Sequence, residues 1–369
     1  MNSERYQRQE ILNGFGAAAQ EKLMQAKVLV IGAGGLGCPA LQYLVAAGIG
    51  LIGIADHDRI ELSNLQRQVL YGGADIGFLK VEVASRRLKQ LNSEVEIVLH
   101  PVAVEHDNVL EMISAYDIVF DGTDNFNSRY LINDACAMLK IPLVFAAVSG
   151  FEGQLAIFNV GDKNGIKTNY RDLFPVPPAP GEVPNCAENG ILGVLPGMLG
   201  TMAAGEIIKL ICGIGKPLCN KLLHYSLLTQ QQYEINIVPS SDYLKITTTE
   251  AFREQHKRNL ASDYTEIDTY QLDELRNKPL TLVVDVRDKH EFPRLNTEIY
   301  RQIPMSEFEH FALSDTEEEN IILICQHGVR SVLAAERLQQ RYGNTKNIYS
   351  LKGGISKWRQ YFLTTQHER

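Results

Sequence analysis

Residues 28–56 read VLVIGAGGLGCPALQYLVAAGIGLIGIAD, a stretch that few architectures can accommodate. No charge occurs from Val28 to Ala55, so the run has the composition of a membrane helix. Seven glycines and a proline within it argue against one continuous helix. It divides instead into a buried parallel strand at Val28–Ile31, a glycine loop, a helix from Cys38 to Ala47 and a second strand at Leu51–Ala55. Pro39 is tolerated in the first turn of that helix. Gly32, Gly34 and Gly35 permit a tight turn and let backbone N–H groups approach a phosphate at a helix N-terminus. Asp56 closes the second strand, where an acid can accept hydrogen bonds from a ribose. A glycine loop alone is shared by many dinucleotide enzymes. Strand, loop, helix and terminal acid together predict a nucleotide site.

At 369 residues the chain is long enough for two domains with full cores. Its net charge of −8 offers no electrostatic footprint for nucleic acid. No cationic segment followed by an apolar one opens the chain, so no secretory signal is expected. The six cysteines (38, 136, 186, 212, 219 and 325) contain no C-x-x-C pair and read as thiols, not as a disulfide framework. A soluble, cytoplasmic protein with no membrane partner is the expectation.

From Val28 to about Ile235 strand-like and helix-like segments alternate. Val95–Leu99, Ile118–Phe120 and Leu143–Val148 are the further strands, and Ser128 to Met138 is helical. This predicts a doubly wound, Rossmann-like α/β nucleotide-binding domain. The proline-rich run FPVPPAPGEVPN can only be an extended loop, and Gly197 to Ile211 reads as a small-residue helix able to pack closely on a sheet. A polar stretch from Ser240 to Ser262 separates a second, small α/β unit containing LVVDVR and IILIC, with a helix from Ser331 to Arg341. The domain limits are set at 1–245 and 262–369.

Ligands of open α/β sheets sit at the carboxyl ends of the strands, where Gly32, Asp56 and Asp124 all fall. Phosphate chemistry needs cations on the oxygens and a carboxylate for Mg²⁺. Arg67, in the polar run SNLQRQ, and Lys80 can supply the first, and Asp124 the second. An arginine at that place has no evident use in a nicotinamide enzyme. Lys80 as a solvated helix residue, and Asp121 as a turn or cap residue, are the simpler alternatives.

Arg5-Tyr6-Gln7-Arg8-Gln9, GAGGLG, ADHDRIELSNLQRQ, Lys80-Val81-Glu82 and DGTDNFNSRYLIND together resemble the ThiF and molybdopterin-synthase adenylyltransferase family, relatives of the ubiquitin-activating enzymes. The resemblance spans about residues 1 to 235. It implies binding of ATP·Mg²⁺ and adenylation of the C-terminal glycine of a small ubiquitin-fold sulfur-carrier protein. Gly32, Gly34, Gly35, Asp56, Ser63, Asn64, Arg67, Lys80, Asp124 and Asn125 match the nucleotide contacts, with Asp124 linked to Mg²⁺. Arg8 matches an arginine given across a homodimer. Many members also hold a structural zinc with two C-x-x-C pairs. Here Asn169 and Asp172 stand at the first pair and the second, near 238–242, has no cysteine, so no zinc is expected and packing should hold that corner. Cys186 matches a mobile-loop cysteine that is either a covalent nucleophile or a spectator.

Cys325-Gln326-His327-Gly328-Val329-Arg330-Ser331 follows an apolar strand and precedes a helix, so backbone N–H groups can stabilise a sulfur anion and Arg330 adds positive charge. A buried structural cysteine is the plainer alternative. With Asp285-Val286-Arg287 and LKGGISKW, residues 262–369 resemble a rhodanese domain. A cell-cycle-type phosphatase is the runner-up, but its loop has one more residue between cysteine and arginine. The resemblance implies Cys325 as persulfide carrier, Arg330 as its charge stabiliser and a persulfide donor, such as a cysteine desulfurase, as partner.

The combined expectation is adenylation of a carrier followed by sulfur delivery to give a thiocarboxylate, with molybdopterin synthesis favoured and a thiamine-pathway adenylyltransferase as alternative. An NAD(P) oxidoreductase, or a scaffold that only binds the carrier, would leave SNLQRQ, DGTDN and CQHGVRS unexplained.

Overall fold

The computed structural model describes residues 3–178, 190–241, 243, 245–257, 264–313, 317–326 and 328–364. Contacts divide the chain into two compact units, the first running to Lys257 and the second from Arg258 onward.

In the first unit the strands are β1 (Lys27–Ile31), β2 (Leu51–Ala55), β3 (Glu96–His100), β4 (Ile118–Asp121), β5 (Leu143–Ser149), β6 (Glu152–Phe158), β7 (Lys221–Ser226) and β8 (Gln231–Asn236). They form one sheet in the order β3-β2-β1-β4-β5-β6-β7-β8. The strands β3 to β5 in that order are parallel, and each later pair from β5–β6 on is antiparallel. The doubly wound reading therefore holds as far as β5. Beyond it the strand–helix alternation stops, because Gly150, at φ +57°, turns the chain straight back into β6. The central strand β1 is apolar on both faces: Val28 and Val30 enter one core, Leu29 and Ile31 the other.

Register puts the chemistry on one edge. Ile31 lies opposite both Ala55 and Asp121, so β1, β2 and β4 end level. The loops that follow, starting at Gly32, Asp56 and Gly122, must share one crevice. The helix Val194–Cys212 is long and apolar enough to cross a membrane by composition, yet Leu195, Leu199, Ala203, Ala204 and Ile207 are buried in the core. Its small residues bring it close to the glycine-loop helix Gly37–Ala47. A Cβ on Gly200 would lie 2.2 Å from the Leu36 carbonyl oxygen.

The polar stretch after Ser240 is not simply a spacer. It contains the helix Thr249–Lys257, whose Phe252 is fully buried in the core that holds Leu29 and Ile31.

The second unit has β9 (Thr265–Ile267), β10 (Thr281–Asp285), β11 (Arg301–Gln302), β12 (Asn320–Ile324) and β13 (Asn347–Leu351), all parallel in the order β11-β10-β12-β13-β9. Two cores flank it, with Val284 and Leu323 in one and Val283 and Ile322 in the other. The helix Val329–Tyr342 begins two residues earlier than its apolar pattern suggests, after Gly328 at φ +86°.

Candidate functional sites

The carboxyl edge of the first sheet carries a cavity. Gly32, Gly34 and Gly35 form one wall. Gly32 has φ +93° and faces the Gly122 backbone, while a Cβ on Gly37 would lie 1.9 Å from the Gly32 carbonyl oxygen. The loop is thus tight because two backbones touch there. At Gly34 a Cβ would meet only Gln68 Nε2, at 3.7 Å, so this glycine opens toward the cavity.

Asp56 ties the loop to β2. Its two oxygens accept the Ala33 and Asp58 N–H groups, each at 2.8 Å. Burial raises its pKa against the opposing Lys80 charge. Lys80 starts the helix Lys80–Leu91 and is buried, not solvated. Its Nζ donates to Asp58 Oδ2 at 2.7 Å and lies 3.8 Å from Asp56. Burial works against its charge, but the two carboxylates outweigh burial and hold its pKa above the ordinary value. Asp58 was missed from sequence, although an acid two residues after a strand-end acid is within reach of a cation aimed at that strand end.

Arg67 lines the cavity and its Nη1 donates to the Ser63 carbonyl at 3.0 Å. Ser63 and Asn64 are not in the cavity wall. They shape the turn that presents Arg67: Asn64 Oδ1 accepts the Glu61 N–H, and its carbonyl accepts from Arg67 and Gln68. Asp124 and Asn125 form the opposite wall, where Asn125 also caps the helix Phe126–Leu139 by accepting from Ser128 N–H at 2.9 Å. Asp121 is fully buried and accepts from Thr123, as the turn reading supposed. Val102, Ala103 and Val104 supply an apolar end.

Gln68, also missed, is 3% exposed and lines the cavity, and its Oε1 has no partner among the described residues. A glycine cradle, two cations, a carboxylate, an apolar end and an unpartnered buried amide oxygen fit a nucleoside triphosphate with its divalent cation. Arg8 is exposed on the helix Ser3–Glu10 and does not line the cavity. Cys186 lies outside the described residues.

At the corner of Asn169 and Asp172 buried Tyr170 packs into the core, and a set of hydrogen bonds joins it. Asp172 accepts from Ser240 N–H at 2.7 Å and from the Tyr243 hydroxyl at 3.2 Å, and Asn169 donates to Tyr243. Between them Arg171 forks onto buried Asp134 at 2.7 and 2.7 Å, and His256 lies 2.9 Å from the same carboxylate. The segment from Ser240 to His256 is fastened to the first unit by this clasp.

In the second unit Cys325 directly follows β12 and is 1% exposed. Its Sγ accepts the Gly328 N–H at 3.1 Å and lies 3.5 Å from Ser331 Oγ. Gly353 and Gly354 of LKGG back the loop, with Ile355 N–H on the Cys325 carbonyl and Ser356 N–H on that of Gln326. Arg287 is buried, held by Asp285, and donates to Gln326 Oε1 at 3.0 Å. Arg330 is engaged by Glu291 through both Nη atoms, at 2.6 and 2.8 Å. Burial pushes the Cys38 thiol up to about 12 and raises Cys136, Cys212 and Cys219, so none of these is a ready nucleophile.

Residues 6–244 match the ThiF family, and residues 268–361 match the rhodanese-like domain. The chain belongs to the ThiF family. It is 50% identical over 226 residues to a sulfur carrier protein adenylyltransferase of Thermus thermophilus, covering 61% of this chain and 83% of that one. A probable adenylyltransferase/sulfurtransferase MoeZ of Mycobacterium tuberculosis is 37% identical over 364 residues, 96% of this chain and 92% of the relative. Adenylyltransferase and sulfurtransferase MOCS3 of Aedes aegypti is 36% identical over 380 residues, covering 96% and 86%. Among solved structures, Escherichia coli MccB with ATP has a TM-score of 0.53 at 25% identity, covering 65% of this chain and 73% of that one.

Proposed function

We propose that this ThiF-family chain uses ATP·Mg²⁺ to adenylate the C-terminal glycine of a ubiquitin-fold sulfur carrier, and that Cys325 then supplies sulfur for a thiocarboxylate. It is an adenylyltransferase carrying a sulfurtransferase domain. The observation that carries the reading is the meeting of Arg67, Lys80 and Asp124 around the glycine loop in one cavity.

The carrier's glycine carboxylate attacks the α-phosphorus in line, and pyrophosphate leaves with the electron pair. The carboxylate is already ionised near neutral pH, so no general base is needed. Arg67 and Lys80 stabilise the charge that develops on the phosphate oxygens. The Lys80 ammonium is aimed by Asp56 and Asp58, and Asp124 is the residue to hold Mg²⁺, which neutralises phosphate charge when bound. Arg8, exposed on its helix, is the group we assign to a neighbouring copy in a homodimer. No zinc is required in this reading, because the Asn169–Asp172 clasp fastens the corner.

The Cys325 persulfide attacks the acyl carbon and AMP leaves. A thiol then attacks Cys325 Sγ in this acyl disulfide: a disulfide between Cys325 and that thiol forms, the S–S bond to the acyl sulfur breaks, the thiocarboxylate leaves with the electron pair, and a dithiol reductant returns the disulfide to thiols. Cys186 is the thiol we assign to this attack. Tethering both activities to one chain raises their effective concentration. The free thiols fit a reducing, cytoplasmic setting.

Incubation with ATP·Mg²⁺, a persulfide donor and molybdopterin- or thiamine-pathway carriers, read by intact mass, tests this. One carrier should gain the mass of a carboxylate-to-thiocarboxylate exchange, and Cys325→Ala should abolish the gain. Adenylation without any sulfur gain would overturn the sulfur-delivery half. The carrier that reacts identifies the pathway, with molybdopterin synthesis favoured.

A further inference from the structure

The loop arginine is not an open anion-binding group. Glu291 takes Arg330 in a two-point fork, with both side chains only about one-fifth exposed. Glu291 is itself fixed, because its Oε1 accepts the Asp288 N–H at 2.9 Å and its own N–H donates to the Asp288 carbonyl at 3.1 Å. Burial would raise its pKa, but the Arg330 hydrogen bond, the Asp288 N–H and the Arg330 charge bring it below the ordinary value. The acid is therefore ionised at neutral pH and matches the arginine charge for charge. The second loop cation, Arg287, is committed to Asp285, Gln326 and the Pro293 carbonyl.

A dianion approaching Cys325 gains strongly from a bare guanidinium and little from a neutral, pre-paired one. A persulfide borne on a thiol carries at most one charge on its reacting sulfur and has no such need.

We propose that Glu291 determines donor specificity: by pairing with Arg330 it disfavours small dianionic sulfane donors such as thiosulfate and reserves Cys325 for thiol-borne persulfides. This rests on the reading of Cys325 as the persulfide carrier. The Cys325 thiolate attacks the outer sulfur of a donor R–S–SH. The new S–S bond gives Cys325–S–SH, the donor S–S bond breaks, and R–S⁻ leaves with the electron pair. With thiosulfate the leaving group is sulfite. Neither path needs an oxidant.

The test uses the full chain with cyanide as acceptor, measuring thiocyanate release from thiosulfate and from cysteine persulfide. Glu291→Gln keeps an acceptor oxygen for the Asp288 N–H but removes the charge. Its thiosulfate KM should fall and the thiosulfate kcat/KM rise on the order of tenfold, with steeper salt dependence. Its kcat/KM for cysteine persulfide should stay within about threefold of wild type. The ratio of the two efficiencies does not depend on the active fraction, so a partly folded sample still reports it, and Glu291→Ala gives a second reading. Adding Arg330→Ala to Glu291→Gln should erase the gain. An unchanged or lower ratio in both single variants overturns the inference. Persistent thiocyanate release by Cys325→Ala would instead overturn the persulfide reading beneath it.

Discussion

Lys80 is the residue whose environment says most. An ammonium buried between two carboxylates is held charged and aimed, which is what a phosphate-facing cation requires. Lys80→Ala and Arg67→Ala should each lower carrier-stimulated ATP–pyrophosphate exchange on the order of 10²-fold, with carrier binding retained. Exchange at wild-type rate in Arg67→Ala would remove Arg67 from the phosphate machinery, and no exchange by the wild-type chain would leave a binding scaffold as the better account. Asp58→Asn should act through Lys80, raising the KM for ATP more than it lowers kcat. Arg67 and Lys80 were legible in sequence because each lies in a motif. Asp58 and Gln68 were not, because their roles are contacts: one ion pair and one unpartnered buried amide oxygen.

At the scale of elements, two features depend on what lies next to them. The segment from Ser240 to Lys257 looks polar and unremarked in sequence, yet one face carries Phe252 and His256 into the first unit. Its hold depends on Asp134, whose pKa sits below the ordinary 3.8 because the Arg171 and His256 hydrogen bonds outweigh burial. An acid with a depressed folded-state pKa contributes stability above its unfolded value and loses it as pH falls through the folded one. Urea unfolding should therefore show stability dropping below about pH 4, with a shallower slope in Asp134→Asn. Arg171→Ala should cost about 3–5 kcal/mol at neutral pH, since it leaves the buried Asp134 carboxylate without its fork. The LKGG turn is the second such feature. A Cβ on Gly354, already at φ +62°, would lie 2.5 Å from both the Cys325 carbonyl oxygen and the Gly328 nitrogen. Gly354→Ala should displace the thiol loop and cut thiocyanate release at least about tenfold, while pyrophosphate exchange continues.

The whole molecule is two units with separate cores, and where the first one ends is a matter of packing. A fragment ending at residue 245 discards Phe252, whereas one ending at 257 keeps it. The shorter fragment should be less stable by about 3–5 kcal/mol, the cost of emptying a buried phenylalanine site, as measured by urea denaturation of the two. Both should be judged beside Cys325→Ala in the full chain, which should keep exchange and lose sulfur delivery.

Local pattern was enough for the glycine-loop unit, the parallel strands beside it, the thiol loop and the family resemblance. Each is written in consecutive residues, as apolar runs, obligatory glycines and fixed spacings. Tertiary structure alone decided the rest. It turned the sheet antiparallel after β5, removed Ser63 and Asn64 from the cavity wall, set Asp58 on Lys80, closed the Asn169–Asp172 corner with hydrogen bonds and paired Arg330 with Glu291. These are meetings between residues distant in sequence or turned by a loop. Charge and hydrogen-bond partners act over a few ångströms of space, and one sequence does not state which side chains will share them.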